Sequence, residues 1–229
     1  VWNVKAQYDA ILFDAGGVFV IPDPAVLAPT LAYYGATLDH DQYHRAHYGA
    51  MAAKSRAQVT ENDWSHYNRR YVELVGVHPD EVDSAVFVLS RTRHAHLWRA
   101  PIEGSSEVLR ELNSRGTPIG VVSNASGQIE EILSRSGICQ VGDGPLPRVR
   151  CIIDSDVVGI AKPDPRIFDF ALPHFSGIDK SRIAYVGDSV VMDIGGALAA
   201  GLTPILVDPY DDAVDLVDCR RISSLQELL

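Results

Sequence analysis

Cysteine is scarce in this chain, with three in 229 residues, and Cys139, Cys151 and Cys219 stand at unrelated spacings with no Cys-x-x-Cys pair. An odd number of thiols so placed argues against a disulfide framework and a zinc knuckle, and fits a reducing cytoplasm. Positive charge is also short, because 20 Lys and Arg against 30 Asp and Glu give a formal net charge of −10. That balance works against broad attraction to nucleic-acid phosphates or anionic lipid, so neither nucleic acid nor a membrane is an expected partner. A phosphate ligand would need local positive charge from a metal ion or a few placed side chains. No apolar run approaches the roughly 20 residues of a membrane-spanning helix. The start Val1-Trp2-Asn3-Val4-Lys5 lacks the basic region and apolar run of a signal peptide. Val1 in place of Met suggests that the numbering begins inside the native chain.

What is present is ordinary for a globular protein. At 229 residues, 46% of them hydrophobic, the chain can build one full core and a smaller accessory domain. Five short apolar runs are continuous rather than alternating: Ala10 to Phe13, Ile119 to Val122, Cys151 to Ile153, Ile183 to Val186 and Pro204 to Val207. Strands buried on both faces read this way. Helical patterns lie between them, over Ser105 to Arg115, Ser126 to Ser136, Pro165 to Leu172 and Asp193 to Ala200. Gly116, Gly137, Pro173 and Gly201 stop them, and Asp164-Pro165 is a cap followed by a first-turn proline. Strands alternating with such helices predict an α/β fold, a parallel sheet covered on both faces, with ligands beyond the carboxyl ends of its strands.

Residues 21–100 break the alternation. They hold helical stretches at Pro24–Tyr34, Asp39–Lys54, Glu61–Val75 and Pro79–Leu97 and no convincing strand. We read them as a helical cap domain inserted into a core domain made of residues 1–20 and 101–229. The aromatic residues of this segment, Tyr33, Tyr34, Trp64, Tyr67 and Tyr71, read as its core rather than as a stacking surface. The acidic stretch from Asp208 to Asp212 reads as a solvated turn and helix start, not a metal site.

Polar residues collect where the strands end. The first strand runs into Asp14-Ala15-Gly16-Gly17, a carboxylate followed by glycines that permit a tight turn. The second runs into Ser123-Asn124-Ala125-Ser126, a hydroxyl beside the free N–H groups of a helix start, which suits an anion. A plain helix cap by Ser123 or Ser126 accounts for it equally well. Lys162 lies between helix punctuators. The fourth strand ends in Gly187-Asp188, with Asp193 five residues further on, and paired carboxylates suit a hard cation such as Mg²⁺.

Asp, Ser, Lys and Asp…Asp in this order, each near a strand end, resemble the motifs of the haloacid dehalogenase (HAD) superfamily, over about residues 9 to 207. The insertion after the first motif resembles that superfamily's helical cap of the first class. The resemblance implies a Rossmann-like, three-layer parallel sheet with an inserted α-helical cap, and a Mg²⁺-dependent phosphatase of a small phosphorylated metabolite. Asp14 would attack phosphorus and form an aspartyl-phosphate. Ser123, Lys162 and backbone N–H groups near Ala15 and Asn124 would bind the phosphoryl oxygens. Asp14, the Gly16 carbonyl and Asp188 would hold Mg²⁺, with Asp193 acting through water or orienting Lys162.

Gly16 departs from the family pattern, because its phosphatases usually carry a second Asp there as general acid and base. Three readings follow: a phosphatase whose acid comes from elsewhere, a 2-haloacid dehalogenase, or a phosphometabolite-binding module without turnover. The dehalogenases usually carry an aromatic residue at the Gly16 position and tend to lose the first carboxylate of the fourth motif, so Asp188 with Asp193 favours the phosphatase. His40, His44 and His47 share one face of the expected cap helix. Asp41 stands where a zincin would need Glu, so the His-x-x-x-His spacing is not read as zinc. We expect a polar helix face from which His44 or His47 contacts substrate, with a cap histidine or the substrate itself supplying the missing proton. Arg45, Lys54 and Arg56 are further candidates for contact. The protein is expected to be a monomer or homodimer.

Overall fold

The computed structural model describes residues 8–92 and 95–229. Val1–Lys5, and with them the reading of the N-terminus, lie outside these residues, as does part of the helix expected to reach Leu97.

The chain begins with β1 (Ala10–Phe13) and β2 (Val20–Pro22). Four helices follow: α1 (Pro24–Ala32), α2 (His40–Arg56), α3 (Ser65–Leu74) and α4 (Val82–Thr92). Next come β3 (Trp98–Pro101), α5 (Ser105–Ser114), β4 (Ile119–Ser123) and α6 (Ile129–Arg135). The short pair β5 (Gln140–Val141) and β6 (Arg148–Val149) leads to β7 (Ile152–Asp154) and α7 (Ser155–Val158). The chain closes with β8 (Ile183–Gly187), α8 (Gly195–Ala200), β9 (Thr203–Val207) and β10 (Arg220–Ile222).

Six strands form one sheet in the order β10-β9-β8-β1-β4-β7, and every pairing in it is parallel. Side chains alternate between its faces, as strand geometry requires. Ile11 and Phe13 pack with Val121, Leu109 and Leu133 on one face. Ala10 and Leu12 pack with Val122, Phe168, Phe175 and Tyr185 on the other. Each large apolar side chain so buried contributes about 1.5–3 kcal/mol. Because the strands run the same way, Asp14, Ser123 and Asp188 emerge at one edge. The register sets Phe13 beside both Val121 and Val186, so the residues after these strands are neighbours.

The four helices between β2 and β3 surround a core of their own, which includes Leu27, Leu31, Tyr43, Tyr67, Tyr71 and Leu89. Asp39 caps α2 by accepting from the Asp41 N–H at 3.1 Å. Tyr43, Ala46, His47, Ala50, Met51 and Lys54 are buried at helical spacing, and Tyr48, Gly49, Ala52 and Ser55 are buried as well, so α2 is enclosed on more than one face. Of the five aromatic positions expected in this core, Tyr67 and Tyr71 are buried and Tyr34 and Trp64 pack against it, whereas Tyr33 is exposed.

Several elements differ from the sequence reading. The segment read as free of strands carries one at each edge, because β2 and β3 pair antiparallel. Both are too short for alternation to show, and each ends in proline. Pro165 to Leu172 is not an α-helix but a 3₁₀ segment, Pro165–Phe170, followed by a second at Leu172–Phe175. Pro173 has no N–H to extend the first segment. The helix expected from Asp193 starts as a wide π turn, Val190–Ile194, before α8. Asp208 is buried rather than solvated, where it accepts from the Asp212 and Ala213 N–H groups and pairs with Arg221.

Candidate active site

Asp14 stays tied to the sheet through its own N–H, which donates to the Val186 carbonyl at 2.8 Å. Beyond it the chain turns sharply, as the Ala15 carbonyl accepts from Phe19 and Val20 and the Gly17 N–H donates to Val20. Gly17 has φ +65°, and a Cβ there would fall 2.0 Å from Asp188 Oδ2. Only glycine allows the turn to press against that carboxylate.

Lys162 is the hub of the site. It is 1% exposed, with Nζ 2.6 Å from Asp193 Oδ1, 2.7 Å from Tyr185 Oη and 3.0 Å from Asp14 Oδ1. Asp14 and Asp193 hold its pKa above the usual lysine value against the opposing effect of burial. Asn124 fixes its backbone from both sides: Oδ1 accepts from the Lys162 N–H at 2.8 Å and Nδ2 donates to the Lys162 carbonyl at 3.0 Å. Tyr185 Oη in turn donates to the Val122 carbonyl at 2.7 Å.

The second oxygen of Asp193 accepts from the N–H groups of Asp188 and Ser189, at 3.0 and 2.9 Å. Both Asp193 oxygens are thus engaged by protein, which suits a residue that positions Lys162 and the Asp188 turn. Burial above all pushes the Asp14 carboxyl up to about 7; Asp193 and Asp188 add to this, and Lys162 and the Ser123 hydroxyl oppose it. Asp188 is pushed well up by burial and then by Asp193. Oxygens of Asp14, Asp188 and Asp193 come within 4.8 Å of one another, and apart from its ion pair with Lys162, Asp14 Oδ1 has no hydrogen-bond partner. Hard oxygen donors crowded together, with one lacking a partner, fit a divalent cation that takes oxygen ligands.

These residues floor a cavity of about 760 Å³ whose far wall comes from the helices between β2 and β3. Asp14, Gly16, Ser123, Asn124, Lys162, Asp188 and Asp193 all line it. Ala15 does not, since its side chain is in the core. His47 is fully buried, with Nε2 2.8 Å from Asp188 Oδ2 and Nδ1 2.9 Å from Tyr67 Oη. It joins α2 to the carboxylate cluster without reaching the cavity. His44 lies elsewhere, with Nδ1 2.9 Å from Tyr210 Oη. Arg45 and Arg56 pair with Asp212 and Asp215 respectively, whereas Lys54 lines the cavity.

The helix start expected beside Ser123 is also displaced. α6 begins only at Ile129, and Asp154 at the end of β7 accepts from the Gly127 N–H at 2.9 Å and the Ile129 N–H at 3.4 Å. Ser155 Oγ accepts from Ala125 N–H. Neither Ser123 nor Ser126 caps this helix, and the N–H groups offered to an anion there are partly occupied by protein.

Trp98, Glu61, Tyr185 and Asp154 escaped the sequence reading. Only Tyr185 left a signal, as a hydroxyl within an otherwise apolar strand. Trp98 bears on the missing acid, because a Cβ at Gly16 would stand 3.0 Å from Trp98 Cζ3 and 3.2 Å from Cε3. The indole occupies the space into which a side chain at position 16 would project. Gly16→Asp alone is therefore expected to lower stability by about 1–3 kcal/mol through overpacking. Combined with Trp98→Ala, the loss should be smaller than the sum of the two single changes, which a denaturation double-mutant cycle measures.

A parallel sheet that gathers carboxylates round a buried ammonium at the carboxyl ends of its strands places the protein among the α/β proteins with a site at that edge. The chain belongs to the haloacid dehalogenase-like hydrolase family, whose sequence model matches residues 8–201. It is 30% identical over 192 residues to glyceraldehyde 3-phosphate phosphatase of Methanothermobacter thermautotrophicus, covering 78% of this chain and 81% of that protein. It is 36% identical over 120 residues to haloacid dehalogenase-like hydrolase domain-containing protein 3 of Bos taurus, covering 51% of this chain and 44% of the relative. Its matches span about half the length of several such curated relatives. The crystal structure of a HAD phosphatase from Thermococcus onnurineus shares the fold, with TM-score 0.60 at 21% identity over 96% of this chain and 95% of the other. Among the described residues no helix is long and apolar enough to cross a membrane.

Proposed function

We propose that the protein is a Mg²⁺-dependent phosphatase of a small phosphorylated metabolite, with Asp14 as its covalent nucleophile. The observation that carries this reading is Asp14 itself, a carboxylate at the cavity floor beside one buried ammonium and two further carboxylates. The phosphatase named among its relatives supports it.

Phosphoryl transfer needs a positioned nucleophile and compensation of charge on the phosphoryl oxygens. Lys162 keeps Asp14 oriented and supplies positive charge at the point of attack, while the Ser123 hydroxyl offers a hydrogen bond from the end of β4. Tyr185, Asn124 and Asp193 hold Lys162 still, so little reorganisation accompanies the reaction. Asp14, Asp188 and the Gly16 carbonyl would hold Mg²⁺, which when bound offsets the repulsion between carboxylate and phosphate.

The test is phosphate release from a panel of phosphorylated metabolites with Mg²⁺, with and without chelator. We expect release from some members and its loss on chelation; no release from any would sink the proposal. The dehalogenase reading keeps one observation in its favour, since the Trp98 ring packs against Gly16, the position at which those enzymes usually carry an aromatic residue. Halide release from a 2-chloroacid that survives chelation would select it.

A further inference from the structure

With Trp98 in the space beside Gly16, a proton for the leaving oxygen has to come from another group at the cavity. The histidine expected to supply it does not qualify. His47 is sealed from the cavity and has both ring nitrogens engaged, by Asp188 and Tyr67, and His44 faces Tyr210. Among the described residues, the titratable groups lining the cavity are Asp14, Asp188, Asp193, Lys162, Lys54 and Glu61. The three aspartates form one cluster and Lys162 is locked inside it.

Glu61 is the carboxyl that stands apart. It lies on the loop between α2 and α3, where Lys54 Nζ donates to its backbone carbonyl at 2.8 Å and stands 3.6 Å from its Oε2. Lys54 is itself held over the Trp64 ring at 3.5 Å. Glu61 lines the same cavity as Asn124, Lys162 and Asp193, and the charges of Lys162 and Asp193 are felt at its carboxyl. It thus shares a cavity with Asp14 and with the Asn124 that clamps Lys162, outside the cluster of three aspartates. Its side chain is 29% exposed, so it is open to the cavity.

Resting on the phosphatase reading, we propose that Glu61 is the general acid and base of this enzyme, in place of the carboxylate that Gly16 lacks. In the first step Asp14 Oδ bonds to phosphorus as the bond from phosphorus to the ester oxygen breaks. The Glu61 carboxyl gives its proton to that oxygen, and the alcohol leaves. In the second step the Glu61 carboxylate takes a proton from water, whose oxygen bonds to phosphorus as the bond to Asp14 breaks. Phosphate leaves, and both carboxyl groups return to their starting states. Burial raises the Glu61 pKa, with Lys54 the largest opposing influence, which suits a group that must both hold and release a proton.

The experiment is Glu61→Gln, assayed by kcat/KM on a simple alkyl phosphate and on p-nitrophenyl phosphate, whose phenolate leaves without a proton. We expect a loss of at least about 100-fold on the alkyl ester and no more than about threefold on the aryl ester. The variant should also give a burst of p-nitrophenol, because the phosphoenzyme lacks its base. Glu61→Asp, which keeps the acid, should recover part of the alkyl activity. Equal losses on the two esters, or no loss on either, would overturn the assignment and leave the phosphatase reading standing. Absence of turnover by the unaltered protein on both esters would overturn both.

Discussion

Asp14→Asn is expected to lower phosphate-ester hydrolysis by a factor on the order of 10³ or more, with the fold retained. The substitution keeps the volume and the backbone hydrogen bond to Val186 but removes the charge that attacks phosphorus. Lys162 keeps Asp193 and Tyr185 as partners, and one of three crowded carboxylates is gone, so melting temperature should change little. Circular dichroism beside a phosphate-release assay makes the comparison. Residual turnover within tenfold of the unaltered protein would reduce Asp14 to a metal ligand.

Lys162→Met should produce a loss of both kinds. The ammonium is buried between Asp14 and Asp193, and removing one partner of such a set leaves uncompensated charge, at a cost of about 3–5 kcal/mol. For a chain of this size that corresponds to a fall in melting temperature of roughly 6–20 °C. Activity should fall about 100-fold or more, because the phosphoryl oxygens lose their fixed cation. Adding Asp193→Asn relieves the crowding, so part of the stability should return while activity does not. If activity returned as well, Lys162 would be a structural residue only.

Much of this site was legible because parallel strands buried on both faces must read as unbroken apolar runs. Asp14, Ser123 and Asp188 are the first polar residues beyond three of those runs, and Lys162 stands out by its place between helix punctuators. The rest depends on contacts that cross the chain. Trp98 meets Gly16 only because β3 pairs with β2, two strands too short to announce themselves. Glu61 comes to line the same cavity as Asn124 only once the loop after α2 lies over the sheet edge. Asp154 caps α6 from a different strand, so no local pattern could assign it. The three histidines were expected on one polar helix face, yet His47 is fully buried, and Tyr210 beside His44 and Asp188 beside His47 lie more than a hundred residues away along the chain. Periodicity gave the face and was silent about what it would meet.

Gly16 and Trp98 occupy one volume between them, and this makes substitutions at the two positions interdependent. A carboxylate at position 16 would press on the indole, and shrinking the indole removes its packing against His47 and Trp64. Either change alone is therefore expected to cost stability. The pair behaves as one packing unit: a side chain is tolerated at position 16 only as far as the ring at position 98 gives way.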